Sequence, residues 1–144
     1  MITPDDLLEV AERILPTNPG DEGSVRASIS RSYYAAYHSC RAFHDGLPLP
    51  GRLAEKPGGD HENLIQRLER PDDRVVGELQ NISKKAGNKL RAFRDLRLVA
   101  DYKLQMDVTL ETAKKALLQG RDLVNLSRSG TQLRASLGNR ARSS

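Results

Sequence analysis

The chain has no tryptophan, and its only cysteine is Cys40. A lone thiol builds neither an internal disulfide nor a cysteine zinc site, so a reducing, intracellular compartment is expected. The 3 histidines, His38, His44 and His61, stand without paired acids or cysteines at ligand spacing. No metal-site signature results, and metal is expected to have no part. There is no GxxxxGK(S/T) loop, and the glycines between 46 and 59 follow no strand. The usual nucleotide cradles are thereby excluded, and no cofactor is expected. No apolar run approaches the roughly 18 residues of a membrane span. The opening MITPDDLLEVAERIL carries acids where a signal peptide carries bases, so the expectation is a cytoplasmic chain without a membrane role.

Alternation of apolar residues at two is also missing. They recur at three and four instead, which predicts an all-α chain. Thr3, Pro4 and Asp6 supply an N-cap, a first-position proline and a first-turn acid, and Pro16 follows the apolar run, giving a helix over about 4–15. TNPGDEG is a turn, and a long helix over about 21–45 follows. GLPLPGRLAEKPGGD, with three prolines and four glycines, predicts an exposed, mobile loop over 46–60. Asp60 begins a short helix to about Glu69, before Pro71. The next helix sets Val75, Val76, Leu79 and Ile82 on one side and is expected to break or bend at Gly87 and Asn88. Helices over about 89–104 and 109–126 complete an antiparallel bundle of four or five helices.

With 144 residues, one domain is expected, spanning 1–127. The net charge of +4 belongs to the segment 128–144, which holds 4 arginines and no acid. That segment reads as a basic, disordered tail. A basic arm holding RNA or an acidic partner is the alternative.

On the second helix, Val25, Ile29, Ala36, Cys40 and Phe43 share a core face flanked by Tyr33. The opposite side carries Ser24, Ala27, Ser28, Arg31, Ala35, His38 and Ala42, with Tyr34 at its edge. Small residues there predict cover by another helix or by a second copy of the chain. Arg31 and His38 are about 20° short of two full turns apart, so both point the same way. A guanidinium and an imidazole on one stripe can meet a single phosphodiester, the first steadying anionic oxygens and the second moving a proton near neutral pH. The plainer reading pairs Arg31 with an acid and His38 with a backbone carbonyl. On the late helix, Ala92, Phe93, Leu96, Val99, Ala100 and Leu104 form the apolar face, beside a stripe of Arg94, Arg97 and Asp101. Arg97–Asp101 and Arg91–Asp95 are i,i+4 pairs. Arg94 has no acid at helical spacing, and Tyr102 offers a hydroxyl or a stacking surface. His44 beside Asp45 reads as a charge at a helix C-terminus. His61, after the KPGGD turn at a helix start, reads as a surface histidine, with reach into a site from a mobile loop as the alternative.

SRSYYAAYHSCRAF, then KPGGDH, then LRAFRDLRLVADY and a final TLETAKKALLQGRDLVNL resemble the small stand-alone HEPN proteins of prokaryotes over about residues 3–127. The most specific pieces are Ser30–His38 and Arg97–Tyr102, in that order. The resemblance implies a homodimeric helical bundle, often encoded beside a nucleotidyltransferase-like antitoxin. Many such proteins are metal-independent endoribonucleases of toxin–antitoxin or phage-defence systems, with an RxxxxH to RxxxxxxH motif from each protomer. That motif normally lies on a late helix, whereas here Arg31 to His38 is its match, on the second helix. The implied catalytic residues are Arg31, His38 and Arg94, and the implied RNA-binding residues are Tyr34, Arg97, Asp101 and Tyr102. A non-catalytic HEPN module that binds nucleotide, RNA or a nucleotidyltransferase partner is the other reading.

Overall fold

The structure, a computed structural model, describes residues 1–15, 21–54, 56 and 58–143, with side chains to residue 140. It contains α1 (Pro4–Arg13), α2 (Glu22–Asp45), α3 (Asp60–Glu69), α4 (Gly77–Tyr102) and α5 (Leu110–Ser143), and no strand among the described residues. The all-α bundle is as expected. The turn assigned to TNPGDEG falls largely on 16–20, outside the described residues.

The start of α1 is the predicted one. Thr3 accepts from the Asp6 amide at 3.1 Å, while the Asp6 carboxylate accepts from the Thr3 amide at 2.9 Å. This reciprocal pair satisfies two of the donors a helix start leaves over. Asp21 caps α2 without the reciprocal bond: its carboxylate accepts from both the amide and the hydroxyl of Ser24.

α2 is the central helix, packed against α1, α4 and α5. Its core face is the one read from the sequence: Val25, Ile29, Tyr33, Ala36, Cys40 and Phe43 are all buried. Burial in this apolar setting pushes the Cys40 thiol up to about 12, so it serves as a small packing group rather than a nucleophile.

At Ser28 and Ala35 the small-residue face is covered from within the chain, by α1 and α5, while Arg31, His38 and Ala42 of the same face are exposed. Ser28 Oγ donates to the Ala11 carbonyl at 2.8 Å, and Ala35 is buried with Leu8, Ala11, Leu117 and Val124 of α1 and α5. Gly120 makes the approach of α5 possible, because a Cβ there would lie 2.9 Å from the Ser32 carbonyl oxygen. Contacts 32 to 120, 40 to 127 and 43 to 130 show that α2 and α5 run parallel. The pairs α1–α2, α2–α4, α3–α4 and α4–α5 run antiparallel, so the expected arrangement holds for those neighbours and not for the central pair.

Two expected helix ends differ. α4 passes through Gly87 without a break, because that glycine admits α3: a Cβ would meet the Glu69 amide nitrogen at 2.8 Å. Packing outweighs the roughly 1 kcal/mol propensity cost of a mid-helix glycine. α5 continues beyond Leu126 into the segment read as a tail. Arg128 pairs with Asp5 at 2.8 Å, Gly130 lies against Phe43, and Leu133 packs on the core, so the helix has reasons to continue. Val76 and Leu104, placed on apolar faces from the sequence, are exposed because each lies just outside α4.

The loop after α2 is tied down rather than free. α3 runs parallel to α2, so the chain must travel back before α3 begins. It does so along α3 itself: Arg52 N–H donates to the Arg70 carbonyl, Arg67 to the Gly51 carbonyl, Ala54 N–H to Gln66 Oε1 and Gly58 N–H to Asn63 Oδ1, all at 2.8–2.9 Å. His44 is buried and accepts the Gly51 N–H on Nε2 at 3.0 Å. A nitrogen that accepts carries no proton, so His44 is a loop anchor and not the exposed helix-end charge expected. The return path delivers His61, in the first turn of α3, to the middle of α2.

Candidate functional site

Three helices meet there. From α2 come Tyr33, Tyr34, Tyr37 and His38, one turn of chain whose apolar edge is core and whose other edge reaches the surface. From α3 come His61 and Glu62, and from α4 come Arg91, Arg94, Arg97 and Asp101.

The aromatic part is continuous. His61 stacks on Tyr37 with centroids 4.1 Å apart and planes 19° apart, and its Nδ1 lies 2.7 Å from the Tyr33 hydroxyl. Tyr34 meets His61 edge-on at 6.0 Å, and His38 lies 5.3 Å from Tyr37 and 6.3 Å from Tyr34. His38 itself is exposed. Two imidazoles therefore share one patch of tyrosines, one half-buried and one open to solvent.

The cationic part borders it. Arg97 donates through Nη2 to the Tyr34 hydroxyl at 2.6 Å, and its guanidinium lies 5.1 Å from the Tyr34 ring centre and 5.3 Å from that of Tyr102. Its Nε is 2.8 Å from Asp101 Oδ2 but off the N–H line, so this i,i+4 pair is an ion pair without a hydrogen bond. Asp101 also accepts from Ser30 Oγ at 3.2 Å. Tyr102, 66% exposed, leaves an aromatic face open beside Arg97.

Arg94, without a partner on its own helix, pairs with Glu62 of α3 at 2.8 Å. Arg91 pairs with Glu62 and Glu69, not with Asp95. Burial pulls the Glu62 carboxyl upward, but hydrogen bonds from Arg91 and Gln66 and the charges of Arg91 and Arg94 hold it below the usual glutamate range.

Of the residues singled out from sequence, Tyr34, His38, Arg94, Arg97, Asp101 and Tyr102 thus border one region. Arg31 is exposed on the same stripe as His38, two turns toward the end where its neighbour Ser30 meets Asp101. Sequence reasoning undervalued His61, Tyr37 and Glu62. Only the return of the loop along α3 brings them in, and no local spacing signals that.

Burial lowers the His61 pKa below its ordinary 6.5, helped by Arg97 and Arg94 and slightly by His38, while Asp60 opposes. Between the two values the unfolded chain holds the extra proton, so stability rises with pH. The His61 contribution is complete above 6.5 and lost as pH falls through the folded value. The denaturant midpoint should fall as pH is lowered from about 7 to about 5.5, and His61→Gln should flatten that slope. An unchanged slope in the variant would place the titration elsewhere.

Among the described residues no three His, Cys, Asp or Glu side chains gather as metal ligands would, and no helix is long and apolar enough to cross a membrane. Comparison with family models, curated proteins and solved structures finds no match for the chain. The HEPN resemblance accordingly rests on the quoted motifs.

Proposed function

We propose that the chain is a HEPN-type endoribonuclease that cleaves RNA without a metal, the toxin of a toxin–antitoxin or phage-defence system with a nucleotidyltransferase-type antitoxin. The supporting observation is the gathering of His38 and His61 with Arg94 and Arg97 around Tyr34 and Tyr37. In this reading neutral His38 takes the proton of a 2′-hydroxyl, and the freed oxygen attacks the adjacent phosphorus. The bond to the 5′-oxygen breaks, that oxygen takes a proton from water, and a 2′,3′-cyclic phosphate remains. Arg31 and Arg97 steady the non-bridging oxygens, and Tyr34 and Tyr102 hold the flanking bases by stacking. The homodimer implied by the resemblance belongs to the same reading. Its interface is not the face of Ser28 and Ala35, which α1 and α5 occupy.

One observation favours a non-catalytic HEPN module instead: Arg91, Arg94 and Arg97 each face a carboxylate, so no guanidinium of α4 is uncompensated. Labelled RNA incubated with purified protein in EDTA separates the two. The nuclease reading expects fragments ending in 2′,3′-cyclic phosphate, and none at sites carrying a 2′-deoxy substitution. Intact RNA at high protein concentration, with a nucleotidyltransferase co-purifying, would establish the second.

A further inference from the structure

The Tyr33 hydroxyl is fully buried, and its partner among the described residues is His61 Nδ1, at 2.7 Å. A buried hydroxyl that failed to donate would leave its hydrogen orphaned and its desolvation uncompensated. Burial also drives the phenol pKa upward, so this oxygen keeps its hydrogen. Tyr33 therefore donates and Nδ1 accepts, which in a neutral imidazole puts the hydrogen on Nε2. Two features keep the ring neutral and fixed. Burial, with the charges of Arg97 and Arg94, disfavours a second proton, and stacking on Tyr37 at 4.1 Å sets the plane of the ring. The buried edge of the ring is spent on Tyr33, leaving Nε2–H as the hydrogen-bonding group of a half-buried side chain that feels the charges of Arg97 and Arg94.

We infer that His61 is a neutral hydrogen-bond donor of the cleft, its tautomer locked by Tyr33, that offers Nε2–H to an anionic phosphate oxygen of a bound nucleic-acid strand. A fixed neutral donor stabilises developing oxyanion charge without giving up its proton, so it complements a proton-accepting His38 and does not duplicate it. The nucleic-acid identity of the anion rests on the proposed nuclease reading; the tautomer does not.

The test is long-range nitrogen–proton NMR of the imidazoles, with and without a 2′-O-methyl RNA oligonucleotide, which keeps base and phosphate but cannot cyclise. In the free protein, His61 should show an unprotonated Nδ1 and a protonated Nε2, and Tyr33→Phe should convert it to a tautomer mixture. The oligonucleotide should move the Nε2 signal, and inorganic phosphate should move it in the same direction. In cleavage assays His61→Ala should lower kcat about a hundredfold, with KM changed little. Tyr33→Phe should fall between that variant and wild type. A protonated Nδ1 in the wild type, or an Nε2 signal indifferent to the oligonucleotide, would overturn the inference. If wild type cleaves no RNA while the oligonucleotide still moves the Nε2 signal, the nuclease reading fails and the binding role of His61 stands.

Discussion

Arg26→Ala is expected to destabilise the fold by about 1–3 kcal/mol, the cost of leaving buried hydrogen-bonding groups unsatisfied. α4 ends without a basic residue in its last turn, so its terminal carbonyls have no cation of their own. Arg26 of α2 supplies it. Its Nη1 donates to the carbonyls of Val99, Ala100 and Lys103 at 2.9–3.4 Å, and its Nη2 to those of Leu104 and Met106 and to Glu22 at 2.9 Å. Glu22 in turn accepts from the Val108 amide at 3.3 Å, so one guanidinium closes both the end of α4 and the turn into α5. Alanine leaves five carbonyls without this donor. Arg26→Lys keeps the charge but loses the fork, and should recover only part of the loss. Urea midpoints for the three proteins check this, and a shift below about 1 kcal/mol for alanine would mean that water replaces Arg26 at little cost.

The second large effect concerns Arg97. Arg97→Ala should lower RNA cleavage by about a hundred- to a thousandfold, the loss typical of a preorganised charge donor. Its guanidinium is held on three sides, by the Tyr34 hydroxyl, the Asp101 carboxylate and the rings of Tyr34 and Tyr102. Such fixation is useful at a reacting phosphate only if Asp101 yields part of the charge. Asp101→Asn discriminates between roles: an anion receptor relieved of its counter-ion should bind RNA more tightly, whereas a structural pair should only lose stability. Filter binding with uncleavable RNA and urea melts read the two separately. Unchanged cleavage by a folded Arg97→Ala protein would exclude Arg97 from the chemistry.

The parts of this fold that were legible in the sequence are those decided within one helix. The core face of α2, the capping box of α1 and the Arg97–Asp101 pair follow from spacing, because 3.6-residue periodicity and a first-turn acid act locally. What was hidden depends on distant chain. Nothing near Arg94 announces Glu62, and nothing near Gly87 announces that α3 presses on it. The prolines and glycines of the loop after α2 suggest mobility, yet on its return the backbone of Gly51, Arg52, Ala54 and Gly58 is hydrogen-bonded to α3 or its C-cap. That same return makes His61, which the sequence offers as a surface histidine or as one reaching a site from the loop, a neighbour of Tyr33 and Tyr37. Of the small-residue face, Ser28 and Ala35 are covered, by α1 and α5, since Gly120 permits an approach that only the folded chain displays, while Arg31, His38 and Ala42 stay exposed.

The proposal that the tyrosine-lined cleft of α2, α3 and α4 cleaves RNA through its own side chains meets its sharpest check in the single-turnover rate of RNA cleavage in EDTA by wild type and by His38→Ala. His38 is exposed, so its loss should leave the fold intact while removing the proton acceptor. Wild type should yield a cyclic-phosphate product, and the variant should react about 10²–10⁴ more slowly at equal thermal stability. Equal rates from the two proteins, or no cleavage by wild type at any concentration, would contradict the proposal.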